Sequence, residues 1–425
     1  MDAAAGPGPG VTRPPASHRL TTAHLGAAYP FVAEGGLGSG GAYVGRDLLG
    51  GAFTYDPFGL YVSGALTNPN MVVMGQIGRG KSAFVKSYLW RQAAFGRWSW
   101  VVDPKGEYGP LARLHGVTPL RLMPGGSVRL NPLDLVTEPG RRSDGEGARR
   151  GAQLLASLAE ATLVRGLRPG ERTALELAVE AVAAEAGIPT VPGVVAAMLD
   201  PAPAAARTVR ATRAELAADG REVALELRRL VHGDLRGMFD GPTTTGIDLG
   251  AAAVVLDLSA VYDSAALGIL MTCAAAWLQA ALRRHRGARR IVVVDEAWAI
   301  LTHLGIARWL RSSWKLARGL GVAHVAVLHR LSDLRSAGAE GSETFALARG
   351  LLSDSETRVV YAQPPGEVAD AAHALGLSST ETALLPRLGR GMALWKVGER
   401  SFLVEHRLAP AERSLVDTDS RMAPA

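Results

Sequence analysis

Two stretches of this chain hold residue types at spacings suited to phosphate chemistry. Met71 to Ser82 reads MVVMGQIGRGKS: four apolar residues run into Gly75, and Gly80, Lys81 and Ser82 complete the spacing G-x-x-x-x-G-K-S of a P-loop. Its glycines permit a turn too tight for most side chains. Backbone N–H groups along Gly75, Gln76, Ile77, Gly78, Arg79, Gly80, Lys81, Ser82 and Ala83 can then curl round a phosphate where a helix begins. Lys81 would reach the β and γ phosphates of ATP, and the Ser82 hydroxyl would hold Mg²⁺. The second stretch, Arg289 to Glu296, reads RRIVVVDE: β-branched aliphatics tipped by two acids, a Walker B element. Asp295 would hold Mg²⁺ through water and Glu296 would polarise the attacking water, the division of labour that phosphoryl transfer requires.

Other candidates are less determined. WSWVVDPKGEYG places Asp103 and Glu107 at the carboxyl end of a strand expected beside the P-loop, where open parallel sheets bind ligands; Pro104 and Gly106 alternatively make only a turn. His329, ending the strand Val322–Leu328, could sense the γ phosphate or orient water. Arg330, or Arg358 on a strand expected at a domain edge, could act as an arginine finger toward a neighbouring subunit's ATP, or serve in a structural salt bridge. Arg308, Arg311, Lys315 and Arg318 fall on one face of the helix expected over Ala297–Arg318. That stripe suits either a solvated or subunit-facing surface or DNA phosphates.

The elements that must position these residues follow from pattern and composition. With 425 residues the chain can hold a large α/β core plus an insertion, and its formal charge of +6 favours anionic partners only slightly. A single cysteine, Cys273, excludes an internal disulfide or a cysteine metal site and fits a reducing cytoplasm. There are five lysines, and Lys81 and Lys105 lie in the motifs above. Met1–Arg19 lacks the apolar segment of a signal peptide. Ser264–Leu282 is apolar, but it lies between two strands of one sheet and reads as a crossover helix, so no transmembrane segment is expected.

In order, the chain reads as a disordered or irregular arm (1–44), a first core segment with the P-loop (45–137), and an all-α insertion (138–240). A second core segment with the Walker B strand (241–407) and a flexible tail (408–425) complete it. Helices are expected over Ala148–Leu163, Glu171–Ala186, Val191–Leu199 and Arg207–Val231, and a hairpin over Gly391–Glu405.

The set MGQIGRGKSA, VVDPKGEYG, LNPLDL, MFDGPTT, VVVDEAW and SETRVVYAQPPGEV resembles the conjugative (TraC-like) type IV secretion ATPases, in the FtsK/HerA branch of RecA-like P-loop motors. The resemblance covers roughly Gly45 to Glu405. It implies an α/β fold, a RecA-like P-loop core with a mostly parallel sheet, interrupted by the all-α subdomain and closed by the C-terminal β-hairpin. It further implies an ATP-hydrolysing homo-hexamer with ATP between neighbours, completed by an arginine in trans, that powers DNA or protein transfer through secretion-channel components. Such a motor would be cytoplasmic, with peripheral association at the inner face of the cell membrane. The rival readings are a HerA-like double-stranded DNA translocase and a membrane-docked coupling protein.

Overall fold

A computed structural model describes residues 36–38, 40–48, 51–134, 146–163, 165–185, 187–233, 235–262, 266–284, 287–301, 304–330, 332 and 342–416. Most of the expected N-terminal arm, and residues 417–425 of the expected tail, lie outside the described residues.

One sheet organises the fold. In chain order its strands are β1 (Ala42–Asp47), β2 (Gly51–Tyr55), β3 (Met71–Met74), β4 (Trp98–Asp103), β5 (Leu120–Arg121), β6 (Ala253–Asp257), β7 (Arg290–Val294), β8 (Val322–Leu328), β9 (Thr357–Tyr361), β10 (Met392–Val397) and β11 (Arg400–His406). They lie side by side as β2-β1-β11-β10-β9-β3-β8-β7-β4-β6-β5. From β9 to β5 every pairing is parallel, and from β9 through β10, β11 and β1 to β2 every pairing is antiparallel.

Side-chain alternation splits the interior into two cores, one on each face. Met71, Val73, Val101, Ile291, Val293, Val325 and Val327 pack with Phe84, Val85 and Tyr88 of the P-loop helix, Lys81–Ala93. Val72, Met74, Trp100, Val102, Val292, Val294, Ala326 and Leu328 face the other core, which is continuous with the helical insertion and the helices Ala266–Arg284 and Leu304–Leu320. Because both faces are covered, the parallel strands are runs of buried aliphatics.

The helical stretch between β5 and β6 contains Glu146–Leu163, Pro169–Ala184, Val191–Leu199, Pro203–Thr208 and Arg213–His232. The single helix expected over Arg207–Val231 is therefore two. Thr212 caps the second with a reciprocal Thr212–Glu215 box, which forces a break before Arg213. Ala266–Arg284 is the apolar crossover helix, and among the described residues no helix is long and apolar enough to cross a membrane.

Three placements differ from expectation. β4 is not beside the P-loop strand, since β8 and β7 lie between β3 and β4. β9, which carries Arg358, is interior, because the hairpin β10-β11 and the pair β1-β2 extend the sheet beyond it. The chain after Leu408 is also ordered as far as Val416. Leu415 is buried, and Glu412 forms a two-point ion pair with Arg91 of the P-loop helix, at 2.7 Å from Nε and 2.5 Å from Nη2.

Candidate nucleotide-binding site

β3 delivers the chain into Gly75, Gly78 and Gly80, all at positive φ. Gly80 is the N-cap of the P-loop helix and supplies no side-chain cap, so the N–H groups of the first turn would suit an anion. Gly80 also packs against a second turn: Gly391 N donates to the Arg79 carbonyl at 2.9 Å, and a Cβ on Gly80 would meet Gly391 Cα at 3.4 Å. Lys81 is 4% exposed, and its Nζ donates to the carbonyls of Gly75 at 2.5 Å and Gln76 at 3.1 Å. The ammonium thus spans the loop that would hold the phosphates. The Arg79 guanidinium donates to Gln76 Oε1, and Ile77 is exposed at the loop apex.

One strand, β8, separates β3 from β7, so the acids after β7 and His329 after β8 gather at the P-loop end of the sheet. Asp295 is 4% exposed, and burial beside Glu296 raises its carboxyl above the usual range. Asp103 is buried at the end of the paired strand β4, and burial pushes its carboxyl up to about 6. Buried carboxylates whose charged form is so disfavoured suit a divalent cation. No group of three or more His, Cys, Asp or Glu among the described residues forms a metal cage. Mg²⁺ keeps waters and takes oxygens from one or two side chains and the substrate phosphates. Ser82, partly exposed in the first helical turn, and Asp295 would hold it.

Glu296 is the most constrained acid. Its φ of 51° is left-handed, which is uncommon for a residue other than glycine. Its Oε1 accepts from Lys105 Nζ at 2.5 Å and His329 Nε2 at 2.6 Å, and Oε2 from Trp298 Nε1 at 2.5 Å. Burial alone would raise this carboxyl, but the bonds from His329, Lys105 and Trp298 pull it down to about 2. The Lys105 ammonium, which burial would lower, is held above its ordinary value chiefly by Glu296.

The fold has a counterpart among solved structures. The chain superposes on VirB4 of Thermoanaerobacter pseudethanolicus with a TM-score of 0.70 at 22% identity, over 89% of this chain and 100% of that one. The chain has the VirB4 fold. It is the RecA-like P-loop core with a mostly parallel sheet and a helical insertion. The bacterial conjugative coupling protein TrwB is similar at lower TM-score, 0.53 with 15% identity over 80% of this chain and 84% of that one. TrwB in complex with ADP and Mg²⁺ matches with a TM-score of 0.52 and 14% identity, over 80% and 86% of the two chains. No family model and no curated protein matches the chain.

Within this VirB4 fold the remaining candidates separate. Asp103 accepts from Tyr108 N at 2.8 Å and Lys105 N at 3.2 Å, so its carboxylate ties down the Pro104–Tyr108 turn. Glu107 faces the buried Lys86 ammonium at 3.6 Å. Arg330 is exposed beside His329. Arg358 is half-buried, level with Val72 rather than with the P-loop, and its Nη1 donates to the Leu375 carbonyl at 3.0 Å. Of the cationic stripe, the Arg308 side chain lies outside the described residues. Arg311 packs against Gly350, while Lys315 and Arg318 are exposed.

Sequence reasoning missed Lys105 and Trp298 as partners of Glu296. It also missed the Gly391 turn against the P-loop and the Arg91–Glu412 strap. Lys105 carried a signal, since lysine is scarce in an arginine-rich chain and this one lies between the two acids of its motif. For the other three, only the folded chain makes the contact.

Proposed function

We propose that the chain is an ATP hydrolase that converts phosphoryl transfer into movement, as a ring of six subunits serving a conjugation-type secretion channel. The observation that carries this reading is Glu296, a buried carboxylate beside Asp295, one strand removed from a P-loop and enclosed in the fold of VirB4. Lys81 and the first-turn N–H groups bind and orient the phosphates, and Asp295 with Ser82 holds the cation. Mg²⁺, when bound, neutralises charge on the phosphate oxygens. Glu296 takes the proton of the attacking water, and His329 lies within reach to orient it. Arg330, exposed at the same end of the sheet, is the better placed of the two arginines for a neighbour's ATP.

The likeness to TrwB favours a second reading, in which the motor recruits DNA–protein substrates as a coupling protein does. Steady-state ATP hydrolysis by the chain and by Glu296→Gln, with and without double-stranded DNA, tests both, alongside sizing in ATP. Hydrolysis lost in the variant and accompanied by a hexamer supports the motor, and stimulation by DNA favours a DNA substrate. Equal hydrolysis by the two proteins removes Glu296 from the reaction.

A further inference from the structure

We propose that Lys105 is a positioning residue that latches Glu296, and that turnover requires this latch to open when ATP enters. The inference rests on Glu296 being the hydrolytic base.

A carboxylate offers about four acceptor sites. On Glu296 three are taken, by Lys105, His329 and Trp298, and the residue is 3% exposed. An attacking water must find an acceptor on an oxygen already held by protein donors. Glu296 makes these bonds from a left-handed backbone conformation. By the alternation of β7, residue 296 would continue toward the face of Val292 and Val294. The φ of 51° turns it instead toward His329, which follows Val325 and Val327 on the P-loop face.

The three donors are not equally free to leave. Trp298 follows two residues later in the short helix Ala297–Leu301, and the His329 side chain is 17% exposed. Lys105 is 35% exposed, carries its charge on a flexible stem, and projects from a turn whose backbone Asp103 fixes. Its Nζ also lies 3.3 Å from His329 Nε2, at the end of the strand beside β3. A polyphosphate in the P-loop is therefore the natural competitor for this ammonium. Exchanging carboxylate for phosphate releases the base only when a nucleotide is present, and this opening is the slow step of turnover, so a chain without the latch turns over faster even at saturating ATP.

The test uses the full chain and its Lys105→Met, Lys105→Gln, Lys105→Arg and Glu296→Gln variants, plus Lys105→Met combined with Glu296→Gln. Turnover is measured at saturating Mg-ATP, affinity with a fluorescent ATP analogue, and amide exchange over residues 296–301 without nucleotide. A latch predicts a kcat raised about 3- to 10-fold in Lys105→Met and Lys105→Gln, with affinity changed less than about 2-fold. It also predicts faster exchange over 296–301, near-native behaviour for Lys105→Arg, and no turnover in the combined variant. A folded Lys105→Met or Lys105→Gln whose kcat is unchanged or lower, with exchange over 296–301 as in the parent, overturns the latch. Undiminished turnover in Glu296→Gln overturns instead the reading on which it rests.

Discussion

A Cβ built on Gly75 would lie 2.4 Å from the Cβ of Tyr361, so the P-loop strand enters its turn in direct backbone contact with β9. Gln76 N donates to the Ala362 carbonyl at 3.0 Å just beyond this contact. Gly75→Ala must part the two strands, and Gly75 also has a φ of 154°. The expected cost is about 2–4 kcal/mol in a urea titration, with nucleotide binding lost. A variant as stable as the parent that still binds ATP contradicts this packing.

Lys81→Met keeps the aliphatic stem and removes the ammonium that spans the Gly75 and Gln76 carbonyls. We expect ATP affinity to fall by about 10-fold or more in a fluorescent-analogue titration, since charge-assisted bonds to phosphate are among the strongest available. Ser82→Ala should weaken binding mainly in the presence of Mg²⁺. Equal losses with and without the cation would argue against Ser82 as its ligand.

The C-terminal strap should contribute to stability through Arg91. This guanidinium pairs with Glu412, which is 4% exposed, and donates to the carbonyls of Tyr43 and Arg407. Arg91→Met leaves a buried carboxylate without its partner, a loss of about 3 kcal/mol. Combining it with Glu412→Gln should recover some of that loss. Denaturant midpoints of the two single variants and the double variant measure the coupling.

His406 should make the fold sensitive to acid. Burial, with a smaller contribution from Arg91, lowers its imidazole to about 4, against an ordinary 6.5, while Glu412 pulls the other way. Between those values the unfolded chain binds a proton that the native state refuses. Stability is therefore full above pH 6.5 and declines as pH falls toward 4, by at most about 3 kcal/mol. His324, lowered to about 3 by burial, acts in the same direction. His406→Asn should flatten the decline between pH 6.5 and 4, and urea midpoints across that range show whether it does.

Much of the candidate site was legible because its pattern is local. Gly75, Gly80, Lys81 and Ser82 lie in one turn, and an apolar strand tipped by Asp295 and Glu296 declares itself by composition. Local pattern also marked the hairpin β10-β11, where two residues, Gly398 and Glu399, join paired strands. Arg358 shows the limit. Its strand was recognisable, but whether that strand was an edge depended on β10 and β11 pairing with it.

The sequence by itself determined where a P-loop pattern and an acid-tipped strand lie, and that an α/β core is interrupted by helices, because turn geometry and hydrophobic period act over a few residues. Only the tertiary structure decided the order of strands, and with it that β8 lies between the P-loop and the acids. It also decided that Lys105, from one strand end, meets Glu296 on the next. Strand order is fixed by burial summed over both faces of the sheet, and no single segment carries that information.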